Sequence, residues 1–367
     1  MSGTERLAPE APRIIELVGT PWERGRRHGE LLGGEIRDLR RAIVSYFSRL
    51  TLYVGSLALL AFARLMARLS FWPHIPARLQ EEFKALAAGA GLGLSLVLLI
   101  NTLDELANNL ASCSALAVGE GHTHRGLYLA GRNLDYPLFV DELVGYQTLF
   151  RMTPEQGVPL VSLAWPGYVG VSTGMNRAGV ALAQLTAMCR SVTLQGVPAG
   201  LRYRQALEQG STVEEVADLV LAAPGTIGNN LLLVEPRQAL VLELSAHRCA
   251  RRRPEAGLLT VTNHFQNDDM EPVKGLFRRR PPFTVLDPYH FTEAYSEARN
   301  ARLQELAATR TLEPADLQAI LGDPAIANPG TANSAVFEPA ELTMWVAAKG
   351  PPPVSQGKFI KFCLWDR

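Results

Sequence analysis

A thiol standing where a strand-like run begins is the first feature of this chain that could do chemistry. Cys113 lies in NNLASCSALAV, with Ser112 before it and Ser114 after it. A lone cysteine is by default a small buried apolar residue. It becomes a nucleophile only where neighbours favour the thiolate and a base takes its proton. Three further stretches offer such neighbours. GRNLDYP, residues 131–137, follows about one hairpin later. A strand leaving Cys113 and returning through GLYLAG would bring Arg132 and Asp135 near the thiol. Arg132 would hold the thiolate charge and lower its pKa. Asp135 would accept a hydrogen bond from an amine or orient a substrate amide. Taken alone, the pair reads as a surface salt bridge at a turn.

VTNHF ends an apolar run with Asn263, whose carboxamide N–H suits a developing oxyanion. An isolated asparagine there is otherwise a turn former, and His264 is its neighbour. YSEARNARL sets Ser296, Arg299 and Arg302 at three-residue steps along one helical face. That face either points an arginine into a pocket or is a solvated basic surface. Trp165, Tyr168 and Phe139 suit either an acyl pocket or the core. His122 and His124 sit in a turn with no further ligands near, so no metal is expected. The basic runs at 251–253 and 278–280 read as solvated loops. No GxxxxGK[ST] or GxGxxG loop occurs where it would need to, and no cofactor is expected.

Composition narrows the function classes. The 367 residues carry 36 Lys+Arg against 36 Asp+Glu, a formal net charge of zero. That balance argues against a nucleic-acid partner bound through its phosphates. With 47% hydrophobic and 20% charged residues the chain reads as globular rather than disordered. Its length suits one large domain or two medium ones. The four cysteines form no CxxC pair, which fits neither a disulfide framework nor a zinc site. A reduced, cytoplasmic protein is the expectation, and no secretory signal is read at the N-terminus. The apolar run TLYVGSLALLAFA, residues 51–63, is too short to span a bilayer. It reads as a buried helix, a lid over an apolar substrate or a membrane-touching helix.

The elements that must position these residues follow from periodicity. Residues 21–50 repeat apolar positions at steps of one, three and four, tracing one helical face. Residues 81–92 and 95–110 continue in that style with glycines as stops. After Ser112 come strand-length runs: SALAV, GLYLAG, QTLFRM, VPLVSLAW and GVALAQL. A helical stretch over 201–223 carries Ser211 and Glu214 as a capping box. The strand candidates NLLLVE, ALVLEL and LLTVTN precede helices over 291–308 and 314–321, and SAVFEP and LTMWVAA close the chain. Strands in clusters predict antiparallel sheets with helices packed on them, an α+β class, not a doubly wound parallel sheet.

Together these stretches resemble the N-terminal-nucleophile hydrolases of the acyl-coenzyme A:6-aminopenicillanic acid acyltransferase type. The chain is more distantly similar to choloylglycine hydrolases and acid ceramidase-like amidases. CSALAV, GRNLDYP, GMNRAGVALAQL, TNHF and SEARNARL carry the resemblance, with ELVGTPWERGRRHGELL near the start and GTANSAVFEPAELTMWVA near the end. It implies a four-layer αββα sandwich of two antiparallel sheets. Residues 1–112 would be a helical pro-segment or α-subunit-like region, and 113–367 the catalytic core. It further implies self-cleavage of the Ser112–Cys113 bond, which frees an α-amine of pKa about 7.7–8.0 to act as base. Cys113 would then be nucleophile and base. Arg132 and Asp135 would flank it, Asn263 would line the oxyanion hole, and Arg299 would support the site. Thr186 or Gln184 falls where relatives carry a second pocket asparagine, which leaves the second oxyanion donor open. Thr186, Gln184, Trp165, Tyr168 and His264 are expected on the substrate side.

The implied function is a cysteine amidohydrolase or acyltransferase that cleaves a small-molecule linear amide through an acyl-thioester. Two alternatives stand beside it: an inactive protein of this fold binding a small acylated ligand, and a membrane-associated N-acyl lipid amidase. A homo-oligomer is compatible with either.

Overall fold

In the computed structural model, residues 11–50, 53–107, 112–136, 140–275, 292–308 and 311–365 are described. The chain opens with strand β1 (Arg13–Gly19), then helices α1 (Pro21–Leu50), α2 (Tyr53–Met66), α3 (Ala77–Ala90), α4 (Leu94–Ile100) and α5 (Leu103–Ala107). Strands β2 (Ser112–Val118) and β3 (Leu129–Asp135) follow, then α6 (Val140–Tyr146). Next come β4 (Thr148–Pro154), β5 (Leu160–Ala164), β6 (Thr173–Asn176), β7 (Ala181–Thr186), α7 (Ala199–Gln209) and α8 (Val213–Ala222). Strands β8 (Asn229–Glu235), β9 (Gln238–Leu244), β10 (Cys249–Arg252) and β11 (Leu258–Val261) lead to α9 (Glu293–Ala307) and α10 (Pro314–Leu321). Strands β12 (Thr331–Glu338), β13 (Thr343–Ala347) and β14 (Ile360–Cys363) end it.

Two sheets result. The larger runs β1-β4-β5-β6-β7-β8-β9-β10 and the smaller β11-β2-β3-β12-β13-β14. Every pairing is antiparallel except that of β1 with β4. The sheets face each other through β2 and β7, while α9 and α10 cover the outer face of the smaller sheet. The layering is therefore the expected αββα. The alternation of β2 explains it. Cys113, Ala115 and Ala117 join the core between the sheets, and Leu116 and Val118 join a second core against α9 and α10.

Several local expectations need correction. The first hundred residues are not all helical, because RIIELVG forms β1. As an edge strand with little buried surface it shows no clean alternation to read. The run at 51–63 is not a buried helix, since Leu57, Leu59 and Phe62 on α2 are 43%, 49% and 60% exposed. The N-cap of α8 is Thr212, bonded to the Glu215 amide, one residue beyond the Ser211 pair. Arg251 and Arg252 belong to β10 rather than a loop, and Arg251 pairs with Glu214 and Asp218 of α8. The run at 278–280 and Phe139 lie outside the described residues. Among the described residues no single helix is long and apolar enough to cross a membrane.

The helical region is locked to the sheets by packing and buried charge. On α1, a side-chain carbon added at Gly25 or Gly29 would lie 2.2 or 2.4 Å from a backbone oxygen of α3 (Glu82 O and Leu86 O). Only glycine lets the two helices approach so closely. Arg24 of α1 and Arg204 of α7 meet Glu82 of α3, and Arg204 also pairs with Glu208, all buried. Arg204 donates to the Val169 carbonyl as well (2.9 Å). Asn101 grips the same loop from both sides, donating to Gly167 O and accepting from the Val169 amide. The Gly167 amide donates to His28 Nε2 (2.9 Å). Helices from the N-terminal region thus fasten the loop that carries Trp165 and Tyr168.

Burial, with Arg204 nearby, depresses His28 to about 3. Unfolded, it would titrate near 6.5. On acidification the unfolded chain therefore takes up a proton that the folded chain refuses, and stability is lost as the pH falls from 6.5 towards 3. We expect His28 to account for about 3 kcal/mol of the loss between pH 7 and 4. Urea denaturation of His28→Gln, which keeps an acceptor but cannot titrate, should show a correspondingly shallower loss. Equal slopes for both proteins would refute this.

Candidate active site

Strands β2 and β3 place the reactive residues by register. Cys113 lies opposite Leu134, and Ala115 opposite Arg132. Residues at even spacing share a face, so Cys113 and Arg132 both point between the sheets. Ser112, Ser114, Asn133 and Asp135 occupy the other face, towards α9 and α10. Arg132 is fully buried and donates through Nη2 to Cys113 Sγ at 3.3 Å. Its Nη1 donates to the Ser172 carbonyl (2.9 Å) and to Thr173 Oγ1. These residues lead into β6, so the larger sheet holds the guanidinium that faces the sulfur.

The opposite face carries a second buried guanidinium. Arg299 of α9 donates through Nη1 to the Cys113 carbonyl and to Ser114 Oγ, both at 2.8 Å. Its Nη2 donates to Asn263 Oδ1 at 2.7 Å. Asp135 lies 3.7 Å away, clamped by Asn328 Nδ2 and Thr331 Oγ1, each at 2.7 Å. Burial pushes its carboxyl up to about 6, against the pull of Arg299, Thr331, Arg132 and Asn328. The Asp135 carboxylate therefore faces Arg299 from the side of β3 away from the thiol, while the backbone of Asp135 bonds to Cys113. It lies three positions beyond Arg132, an odd step that sends the two side chains to opposite faces of β3.

Asn263 follows β11, where it meets the Cys113 backbone. Its Oδ1 accepts from the Cys113 amide at 2.9 Å and from Ser112 Oγ at 3.3 Å. Its Nδ2 donates to the Thr186 carbonyl at 2.7 Å, which leaves the second hydrogen of that amide group. Ser296 fixes the residue from behind, its Oγ accepting from the Asn263 amide and meeting His264 Nδ1, both at 2.8 Å. Burial, aided by Arg252, Lys274 and Arg299, lowers His264 to about 4, so it is neutral near pH 7. His264 therefore braces Asn263 instead of touching the thiol.

The remaining expected residues spread further. Thr186 reaches the site through its carbonyl. Gln184 donates to Asn229 Oδ1 (3.0 Å), and its own Oε1 is buried without a partner. Trp165 and Tyr168 pack with ring centres 5.1 Å apart, tilted by 40°, and line a chamber with Tyr136, Asp104 and Glu105. Ser172, Thr173, Asn328 and the acidic pair Asp104 and Glu105 went unread in the sequence. The one available signal was two adjacent carboxylates inside an otherwise apolar stretch.

Burial pushes the Cys113 thiol up, and Arg132 pulls it down. The expected lowering by Arg132 is present, but desolvation outweighs it while Ser112 and Cys113 remain joined. All four cysteines are free, and the described residues hold no cluster of metal-ligating side chains.

Removing Arg299 would take a buried donor from the Cys113 carbonyl, Ser114 Oγ and Asn263 Oδ1 at once and leave the Asp135 carboxylate without the guanidinium 3.7 Å away. We expect Arg299→Ala to cost about 3–5 kcal/mol of stability. Ser114→Ala, which removes one acceptor, should cost about 1 kcal/mol. Comparable denaturation midpoints for the two variants would contradict this reading.

The sequence profile described as acyl-coenzyme A:6-aminopenicillanic acid acyl-transferase matches residues 123–352. That span takes in Arg132, Asp135, Asn263 and Arg299 and begins after Cys113. An uncharacterised protein of Archaeoglobus fulgidus is 24% identical over 56% of this chain and 38% of its own length. Protein dcd1A of Dictyostelium discoideum is 24% identical over 58% and 53%. The chain thus spans about half or less of those relatives. The 40 kDa form of acyl-coenzyme A:6-aminopenicillanic-acid-acyltransferase from Emericella nidulans is 26% identical over 68% of each chain. Among solved structures, a Caenorhabditis elegans N-acylethanolamine-hydrolyzing acid amidase ortholog superposes with a TM-score of 0.45 at 16% identity, covering 62% of this chain and 93% of that one. A variant of Clostridium perfringens conjugated bile acid hydrolase gives 0.45 at 15%, covering 69% and 92%.

Proposed function

The chain belongs to the acyl-coenzyme A:6-aminopenicillanic acid acyl-transferase family, and on that premise we propose that it is a cysteine amidohydrolase or acyltransferase acting on small acyl or amide substrates, matured by its own cleavage before Cys113. One observation carries this reading: Arg132 Nη2 lies 3.3 Å from the sulfur while Asn263 Oδ1 holds the nitrogen of the same residue at 2.9 Å. A charge stabiliser and a nitrogen holder converge on one cysteine.

In the uncut chain that nitrogen is an amide, its lone pair delocalised into the peptide bond. Among the described residues no histidine or carboxylate is bonded to the sulfur, so the thiol lacks a base. In maturation, Sγ adds to the Ser112 carbonyl carbon. The C–N bond breaks, the nitrogen leaves as an amine with a proton, and a thioester joins Ser112 to the sulfur. Water hydrolyses that thioester, which releases the Ser112 carboxylate and regenerates the thiol.

The freed amine is then the proton acceptor for its own side chain. Asn263 Oδ1 continues to accept from one N–H, which orients the lone pair. Arg299, bonded to both the Cys113 carbonyl and Asn263, places a positive charge near the amine. That charge favours the neutral base and lowers its pKa from the usual 7.7–8.0 or so. In turnover the thiolate adds to the substrate amide carbon, and the second Asn263 N–H receives the oxyanion. The leaving amine takes the proton held by the α-ammonium. The acyl-thioester passes its acyl group to water or to an acceptor amine.

Intact-mass measurement of the purified protein should give two fragments, the second beginning at Cys113. Cys113→Ala should remain one chain and lose at least about 10³-fold in turnover of an acyl p-nitroanilide. An uncut protein with full activity would remove the maturation step, and an active Cys113→Ala would remove the nucleophile. Arg132→Ala should shift the acid limb of the pH–rate profile upward by about one unit or more, because one positive charge beside the thiolate is lost.

A further inference from the structure

One face of the molecule has no part in the chemistry of Cys113: the outward side of α2. Ten large apolar side chains are strongly exposed among the described residues, and five of them fall between Leu57 and Leu69. Scattered exposed leucines need no explanation, whereas a contiguous row does. Leu59, Phe62 and Leu65 follow at steps of three along α2, and Leu69 comes four residues later in the helical turn Ala67–Phe71 that continues it. Such steps set side chains on one helical face. Leu65 and Leu69 are 54% and 64% exposed, so no described element covers the row.

The charge around this row has one sign. From Leu39 to Gln80 the sequence holds six arginines, no lysine, no aspartate and no glutamate. Arg40 and Arg64 border the same apolar surface as Leu57, Leu59 and Phe62. The Arg68 guanidinium carbon lies 4.6 Å from the centre of the Trp72 ring, and Lys84 Nζ reaches the same ring at 5.9 Å. Helix α4, which packs on α2, carries no charge. An apolar row, a cationic rim and a tryptophan beside two cations make the composition of a helix that lies in a lipid headgroup layer. With 14 residues α2 is about 21 Å long, too short for a hydrocarbon layer of roughly 30 Å.

We propose that this face docks the protein onto an anionic lipid bilayer, with α2 in the plane of the interface. Leu59, Phe62, Leu65 and Leu69 would enter the acyl-chain boundary, and the arginines would meet the headgroups. Nothing in this docking depends on the chemistry of Cys113. Charge selects the occupant. A second copy seated on the same face would set arginine against arginine, with no carboxylate from residues 39–80 to answer them. A nucleic acid would answer the arginines and leave the leucine row without an apolar partner. An anionic bilayer supplies phosphate and carboxylate groups for the rim and hydrocarbon for the row.

Sedimentation of the full-length protein with lipid vesicles tests this. At low salt we expect partition onto mixed phosphatidylcholine–phosphatidylserine vesicles at least about tenfold above that onto pure phosphatidylcholine. The difference should vanish near 1 M salt, where the screening length falls to about 3 Å. Arg40→Gln and Arg68→Gln should each lower partition onto the mixed vesicles about fivefold, the effect of one cation near a charged surface. Phe62→Glu and Leu65→Glu, at exposed positions, should each lower it at least about tenfold and leave the thermal midpoint unchanged. Cys113→Ala should partition like the unaltered protein, so this proposal and the nucleophile assignment fail separately. Equal partition onto mixed and neutral vesicles, no partition at low salt, or partition that all four variants retain would each overturn the docking. A lipid-free dimer in sedimentation velocity that Phe62→Glu dissolves would assign the face to a second copy and overturn it as well.

Discussion

A guanidinium buried behind a β-strand is the interaction on which the site rests. Arg299 reaches through the outer face of the smaller sheet to the Cys113 carbonyl, Ser114 Oγ and Asn263 Oδ1, with Asp135 beyond. A charge so buried is tolerated only when its charge is answered and most of its hydrogens are taken, and of this guanidinium only the buried Nε lacks a partner. Asp135 gives the answer, and Asn328 and Thr331 hold Asp135 in place. Through this one fork the helix layer, the strand β2 and the loop bearing Asn263 are fixed relative to each other. Arg132 does the corresponding work on the inner face, where the larger sheet supplies its anchors.

The pleat of the strands makes this division of labour available. Neighbouring residues on β2 look in opposite directions, so one cysteine has its side chain read by one sheet and its backbone by a helix. That separation suits a residue whose sulfur and nitrogen have different duties. The groups that stabilise the thiolate do not compete for space with those that hold the nitrogen. A cut before Cys113, as proposed, would change the chemistry of that nitrogen from amide to amine while Oδ1 of Asn263 would still have a hydrogen to accept.

The N-terminal helices do more than cover the sheets. Glycines on α1 admit α3 to close approach, and the buried Arg24, Glu82, Arg204 and Glu208 tie both helices to α7. His28, Asn101 and Arg204 then hold the loop between β5 and β6 by its backbone. The aromatic wall at Trp165 and Tyr168 is thus set by residues from a region remote in sequence.

Much of this architecture is legible in one dimension. The 3.6-residue periodicity of α1, the bounds of α10, the apolar strand runs and the clustering of strands are local patterns, and they lead to two sheets under helices. Arg132, Asn263 and Arg299 could be named because their residue types suit a thiolate, an oxyanion and a pocket. Strand β1 and the glycine contacts of α1 were not legible, since an edge strand lacks a buried face and close approach depends on a partner helix. The faces were also hidden. The Asp135 carboxylate faces Arg299 on the side of β3 away from the thiol, and His264 braces Asn263, because register and the packing of α9 choose which side of a strand meets which neighbour. Local chemistry is written along the chain, whereas the order of contacts around a buried sulfur depends on pairings more than 150 residues apart, such as Arg299 with Cys113.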